Sequence, residues 1–172
     1  MRRVIYSVAM SLDGYIAGPQ GEYDWIVMDP DIDFKEIFAQ FDTLLMGRRT
    51  FAVTVSQGQG GGWPEVKTVV FSKTLKQSDY PEVTIVSADA AATVKQLKAQ
   101  PGKDIWLFGG GELFRSLLDA GVVDSIAVAV IPVVIGGGTP FLSAPANRTK
   151  LKLTKHKLYP KTGIVALDYD VT

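Results

Sequence analysis

Residues 104–121 read DIWLFGGGELFRSLLDAG, and the order of residue types in this stretch decides the fold. Ile105, Trp106, Leu107 and Phe108 form a short apolar run bounded by turn residues, the pattern of a buried strand. Gly109, Gly110 and Gly111 follow at once. Leu113, Phe114, Leu117 and Leu118 then recur at helical spacing, and Gly121 stands where the glycine that ends a helix belongs. Strand, glycine turn and helix in this order aim free backbone N–H groups and the positive end of a helix dipole outward from the C-terminal edge of a sheet. Glycines without side chains let a phosphate reach that backbone. The same order also serves a tight strand-to-helix turn that needs positive φ and binds nothing, so the rest of the chain must decide.

A chain of 172 residues suits one domain with a sizeable core. Lysine plus arginine balance aspartate plus glutamate at 18 each, so no global field recruits nucleic acid or a membrane surface. The absence of cysteine excludes a disulfide scaffold, a thiolate metal site and a cysteine nucleophile. The first residues enter a strand pattern with no signal peptide, and the most apolar segment, residues 126–135, is too short for a bilayer and contains Pro132. A cytoplasmic protein is expected.

Outward from the central stretch, the spacing predicts strands over residues 4–10, 43–46, 66–71, 83–86 and 126–131. A glycine-punctuated loop runs to about Asp24, and loops of that length are commonly functional. Phe34, Ile37, Phe38 and Phe41 predict a helix over 31–41 with one apolar face. A second helix follows Gly47-Arg48-Arg49-Thr50 and fades into a flexible loop over 57–62. A third, capped by Ser87 with Asp89 in its first turn, carries Val94 and Leu97. Residues 132–140 form a second glycine-rich connection, and 151–159 with 164–171 read as an antiparallel pair around Lys161-Thr162-Gly163. Strands alternating with helices imply right-handed crossovers and an α/β fold, its sheet mainly parallel, with an antiparallel C-terminal pair. No repeat or linker divides the chain, so residues 1–172 are expected to form a single domain.

Ligands of open α/β sheets collect beyond the carboxyl ends of the strands. Gly47-Arg48-Arg49-Thr50, Ser72-Lys73-Thr74 and Gly109-Gly110-Gly111 all follow strands directly. Cations, hydroxyls and bare amides in convergence suit a multiply charged phosphate ligand such as a dinucleotide. Neither the G-x-G-x-x-G fingerprint nor a P-loop is present.

MSLDGYIAG (10–18), LLMGRRT (44–50), VVFSKTL (69–75), WLFGGGELFRSLLDAGVVDSI (106–126) and IPVVIGGGTPFL (131–142) together resemble the dihydrofolate reductase-like superfamily. The resemblance is closer to its branch related to the C-terminal reductase domain of bifunctional riboflavin biosynthesis proteins. It runs in order over most of the chain. It implies a three-layer reductase fold, NADPH as cofactor, and hydride transfer to an electron-poor C=N or C=O bond of a heterocycle or sugar-like molecule. Carried over residue by residue, Arg48, Thr50, Ser72 and Lys73 match positions at the adenosine phosphate end. Gly109, Gly110 and Gly111 match the pyrophosphate turn, with Gly47, Glu112 and Leu113 beside these motifs, and Ala9 and Ile16 match the nicotinamide side. A relative acting on a pyrimidine- or pteridine-like compound is preferred to a dihydrofolate reductase proper. The rivals are a dinucleotide-binding protein without turnover and an interaction domain that binds no nucleotide. Relatives of this branch commonly pair, and the apolar run over 122–135 is the expected homodimer surface.

The superfamily's pterin-binding carboxylate stands at the start of the helix after the first long loop. Here that region offers Asp31, three residues before Phe34 and seven before Phe38, hence on the inward face of the predicted helix. Asp33, four before Ile37, is the second candidate. Aspartates at a helix start also serve as caps. The D-x-D-x-D spacing fails as a calcium loop, because Phe34 and Gln40 stand where glycine and glutamate are needed. No other metal site is expected. His156, the single histidine, lies among Lys152, Lys155 and Lys157 on a strand face expected to be solvated. Trp25 and Trp63, in or beside loops, are candidates for stacking on a planar substrate or for half-buried packing.

Overall fold

In chain order the elements are β1 (Val4–Ser11), β2 (Tyr15–Ala17), α1 (Phe34–Ala39), β3 (Phe41–Gly47), α2 (Arg48–Ser56), β4 (Lys67–Phe71), β5 (Thr84–Val86), α3 (Ala90–Ala99), β6 (Asp104–Gly109), α4 (Gly111–Asp119), β7 (Ser125–Ile131), β8 (Thr139–Pro140), β9 (Leu151–Tyr159) and β10 (Ile164–Val171). They come from a computed structural model that describes residues 1–58 and 65–172. Gly60, Gly61, Gly62 and Trp63, read above as a loop and a stacking candidate, lie outside the described residues.

Eight strands form one sheet in the order β5-β4-β3-β6-β1-β7-β10-β9. All neighbours up to β7 are parallel, and β10 and β9 add antiparallel to that edge. The architecture is the α/β one read from the sequence. β2 and β8 pair separately, Tyr15 with Pro140 and Ala17 with Thr139, inside segments read as loops. Two residues on one strand and three on the other are too few for a periodic signal. The pairing depends on Gly138, where a Cβ would stand 2.1 Å from the Ala17 carbonyl oxygen.

Packing on the two faces explains the apolar periodicity. One face carries α3 and α4, whose Val94, Leu97, Phe114 and Leu117 close over Val4, Tyr6, Leu45, Val69, Ile105 and Leu107. Tyr6 and Phe114 stack with ring centroids 3.8 Å apart. Full burial of a side chain such as Phe114 stabilises the fold by about 1.5–3 kcal/mol. Opposite, α2 sets Phe51 over Leu44, Met46 and Val70. α4 ends as its sequence predicts: Gly121 has φ +67, its N–H bonds the Leu118 carbonyl, and the Val122 N–H bonds that of Leu117.

Strand limits shift by one or two residues, and three helix boundaries differ from expectation. α1 starts at Phe34, with Asp33 as N-cap accepting from the Glu36 N–H at 2.9 Å. It stops before Phe41, which opens β3 and is buried. The apolar spacing continued from helix into strand, and periodicity alone cannot mark that junction. The cap of α3 is Asp89, which accepts from the Ala92 N–H at 3.1 Å; Ser87 lies outside the helix.

Candidate functional site

The parallel neighbours β3 and β6 end at the same edge, where Met46 pairs with Gly109. Each runs directly into a helix, and the N-caps are glycines, Gly47 for α2 and Gly110 for α4. With no side chain to accept from the first-turn amides, neither helix start is capped. The two starts adjoin: a Cβ on Gly47 would lie 3.9 Å from the Gly110 nitrogen and the Gly109 oxygen. Free N–H groups and positive dipole ends of two helices thus open side by side, an arrangement suited to an anion.

The three glycines of the turn do different jobs. Gly109 has φ +144, a conformation that side chains rarely adopt. The peptide between Gly109 and Gly110 is cis. Gly110 has an ordinary φ of −91, but a Cβ there would stand 3.4 Å from Thr50 Oγ1, inside the space the turn leaves open. At Gly111 a Cβ would meet the Pro140 oxygen at 2.7 Å, so this glycine is required by packing.

Around it stand the cations and hydroxyls. Arg48 Nη1 donates to Thr74 Oγ1 at 3.0 Å, and both side chains are exposed. Ser72 is buried, and its Oγ accepts from the N–H groups of Thr74 and Leu75 at 3.2 and 3.1 Å. Ser72 therefore shapes the turn, and Thr74, not singled out from sequence, presents the free side of it. Lys73 is exposed, with no hydrogen bond or ion pair among the described residues. Arg49 turns toward Glu112, 3.6 Å away at the start of α4.

One cleft of about 1660 Å³ takes in all twelve residues expected at the cofactor: Ala9, Ile16, Gly47, Arg48, Thr50, Ser72, Lys73, Gly109, Gly110, Gly111, Glu112 and Leu113. From the glycine turn it crosses the sheet over a floor of small residues. Ala9, Ala129 and Ala166 are in register on β1, β7 and β10, and Ser7, Ala127 and Asp168 form the next row. Phe38, Trp106 and Phe108 wall it with rings, and Ile26, Val27 and Met28 rim it. Asp13, missed from sequence, ties the end of β1 to the glycine-rich connection before β8: its carboxylate takes the Ser11 hydroxyl at 2.7 Å and the N–H groups of Ile135 and Gly136 at 3.2 and 2.8 Å. These bonds, Ser11 first, hold the Asp13 carboxyl below its ordinary value.

Asp31 and Asp33 do not join the cleft. Asp31 precedes α1, so the inward helical face expected of it does not exist, and its carboxylate pairs with Lys161 at 2.9 Å. Asp33 is committed to capping. Asp29 is the buried carboxylate of the segment, accepting from the Thr162 hydroxyl at 2.7 Å and the Asp31 N–H at 2.9 Å. The segment latches the β9–β10 turn. Trp25 packs beside Ile131, Tyr159 and Ile164 and donates to the Glu22 carbonyl, which is the packing alternative. His156 and its lysines are exposed, and His156, Lys155 and Lys157 line the cleft. Among the described residues no cluster of three potential ligands could hold a metal ion.

A parallel sheet with helices on both faces, an antiparallel edge and a glycine turn at the central strand ends defines the reductase fold of dihydrofolate reductase. The Enterococcus faecalis enzyme, solved with NADP(H) and RAB-propyl, aligns with a TM-score of 0.67 over 98% of this chain and 94% of its own, at 20% identity. The chain belongs to the family of the RibD C-terminal domain, which it matches over residues 2–165. It is similar to a putative riboflavin biosynthesis protein from Shewanella sp. PV-4, with a TM-score of 0.83, 24% identity, and 100% and 99% of the two chains covered. It is 34% identical over 179 residues to the uncharacterized protein YyaP of Bacillus subtilis (strain 168), covering 98% of this chain and 94% of that one.

Proposed function

We propose that the protein is an NADPH-dependent reductase acting on a pyrimidine-, pteridine- or sugar-like small molecule, in the manner of the riboflavin-pathway 5-amino-6-(5-phosphoribosylamino)uracil reductase domain. The observation that carries this reading is the pair of uncapped helix starts at Gly47 and Gly110, ringed by Arg48, Lys73 and Thr74 and opening into the alanine-floored cleft. The related fold solved with NADP(H) supports it. Gly109 to Gly111 and the first turns of α2 and α4 would hold the pyrophosphate, Arg48 and Lys73 the 2′-phosphate, and Ala9 with Ile16 the nicotinamide side. NADPH held there would supply a hydride for the carbon of a C=N or C=O bond, and solvent at the open side of the cleft would supply the proton taken up by the nitrogen or oxygen.

NADPH oxidation measured against a panel of heterocycles tests the reading. Oxidation with any member supports it. NADPH binding without oxidation favours the dinucleotide-binding protein without turnover, and failure to bind NADPH ends the proposal.

The same reading includes a cytoplasmic homodimer. Among the described residues no helix is long and apolar enough to cross a membrane. Within 122–135, Val122, Val123, Ile126, Val128 and Ile131 are buried inside the chain itself, which accounts for most of that apolarity. The better pairing surface is β9, where Leu151, Leu153 and Leu158 are exposed.

A further inference from the structure

We propose that two copies of this chain pair face to face through the helix-side surface of β10 and β9, and that a bulge in β9 builds that surface. The inference rests on the pairing included in the reading above and names its face and its geometry.

β9 reads LKLTKHKLY, and strict alternation would set Leu151 and Leu153 on one side with Lys155 and Lys157. The ladder breaks that alternation. Asp168 pairs with Lys155 but Tyr169 pairs with Leu153, so Thr154 is an extra residue on β9. Its hydroxyl donates to the Asp168 carbonyl at 3.0 Å. One inserted residue turns every side chain beyond it to the other side. Leu151, Leu153 and Leu158 thereby share rows with Val171, Tyr169 and Val165 of β10. Lys152, Lys155 and Lys157 share the opposite rows with Asp170, Asp168 and Ala166, on the cleft side. Val171 packs against the core beneath α3 and α4, which places the leucine rows on the helix side.

That side is left open: Leu151, Leu153 and Leu158 are 42%, 46% and 60% exposed. Leu158, Val165, Val130 and Met10 form one row across four strands, and His156, Leu167, Val128 and Val8 form the next. Neither row holds a lysine, an arginine or a carboxylate. Contiguous exposed apolar rows mark a surface that another molecule covers. Charge selects which one. An acidic protein or an anionic membrane calls for cations beside the leucines, and the bulge has turned those to the cleft side. A second copy meets the same uncharged rows, and with 18 basic and 18 acidic residues the chain has no net charge to oppose its approach. Charge also selects the geometry. Edge-to-edge pairing of β9 with its copy would bring the lysines of both strands onto one face, where like charges oppose each other. Packing of the two leucine faces, with the sheets about 10 Å apart, keeps the lysines on the outer sides and leaves both clefts open.

The chain has no cysteine, so single-cysteine variants report proximity across the pair. A flexible bismaleimide should join copies of at least one of Leu153→Cys and Leu158→Cys into a covalent dimer on a denaturing gel. Lys155→Cys, on the cleft side of the same strand, should not link, although light scattering should find it dimeric. NADPH should bind both leucine variants as it binds the parent, which shows that they are folded. Linking of Lys155→Cys as readily as the leucine variants overturns the geometry in favour of the edge. A dimeric parent whose leucine variants both fail to link overturns the face, and a parent that is monomeric by light scattering overturns face and pairing together. Leucine variants that link, from a parent that does not bind NADPH, overturn the reductase reading and leave the leucine face standing.

Discussion

Arg48 reaches from the first turn of α2 to the hydroxyl of Thr74 in the turn after β4, Nη1 to Oγ1 at 3.0 Å. The bond draws a guanidinium and a hydroxyl from two strand ends into one exposed rim, with Lys73 adjacent and no carboxylate in either turn. An NAD site offers a carboxylate to the ribose hydroxyl, whereas a 2′-phosphate needs cations. Arg48→Ala should weaken NADPH binding by about 10–150-fold and NADH far less. The ratio of the two dissociation constants, at low and moderate salt, is the readout. Equal losses would assign Arg48 to the pyrophosphate or to the fold, and a parent that prefers NADH would sink the assignment.

The glycine turn separates into binding and packing positions. Gly110→Val should abolish most NADPH affinity while changing the melting temperature little, because its Cβ faces the hydroxyl end of Thr50. Gly111→Ala should lower the melting temperature, because its Cβ meets the backbone oxygen of Pro140 at 2.7 Å. Calorimetry and thermal melts on the pair decide it. Undiminished NADPH binding by Gly110→Val would mean that the cradle is elsewhere.

Asp31→Asn should leave turnover unchanged, since its carboxylate engages Lys161 outside the cleft. Asp29→Asn should instead lower the melting temperature, because it weakens the tie to Thr162. A fall of about 10²–10⁴-fold in turnover for Asp31→Asn, the range for a general acid, would restore the role expected of it from sequence.

Acid and neutral pH should act oppositely on two groups of carboxyls. Asp170 is held below its ordinary value by bonds from Arg3 and then Ser125, and Asp29 chiefly by its bond from Thr162. Their stabilisation is present above the ordinary value of 3.8 and is lost as pH falls through their lowered values. Asp168 is raised by burial, so its contribution favours the fold below 3.8 and is lost as pH rises through its raised value. Asp168→Asn should therefore melt higher than the parent at neutral pH, with the difference shrinking in acid. A variant that melts lower at neutral pH would show that Asp168 has a stabilising partner.

Static light scattering at tens of micromolar should report a dimer that Leu153→Lys shifts toward monomer, through the exposed leucines of β9. A parent that is monomeric under those conditions removes the pairing proposal.

Local order was legible in the sequence wherever one stretch carried its own signal. The strand–glycine–helix sequence of 104–121 determined β6, the turn, α4 and the Gly121 terminator, because apolar period, cap chemistry and glycine conformation all act within a few residues. The cations after β3 and β4 were visible for the same reason. Only the tertiary structure decided which of them meet. The parallel ladder of β3 with β6 sets Gly47 against Gly110, and a register over three strands sets Asp168 on the floor near Ala9. The aspartates before α1 show the limit most clearly. Spacing set Asp31 before Asp33 on an expected helical face, yet Asp29 binds Thr162, Asp31 binds Lys161 and Asp33 caps the helix. The roles of Asp29 and Asp31 depend on side chains some 130 residues away in the chain, which no local pattern records.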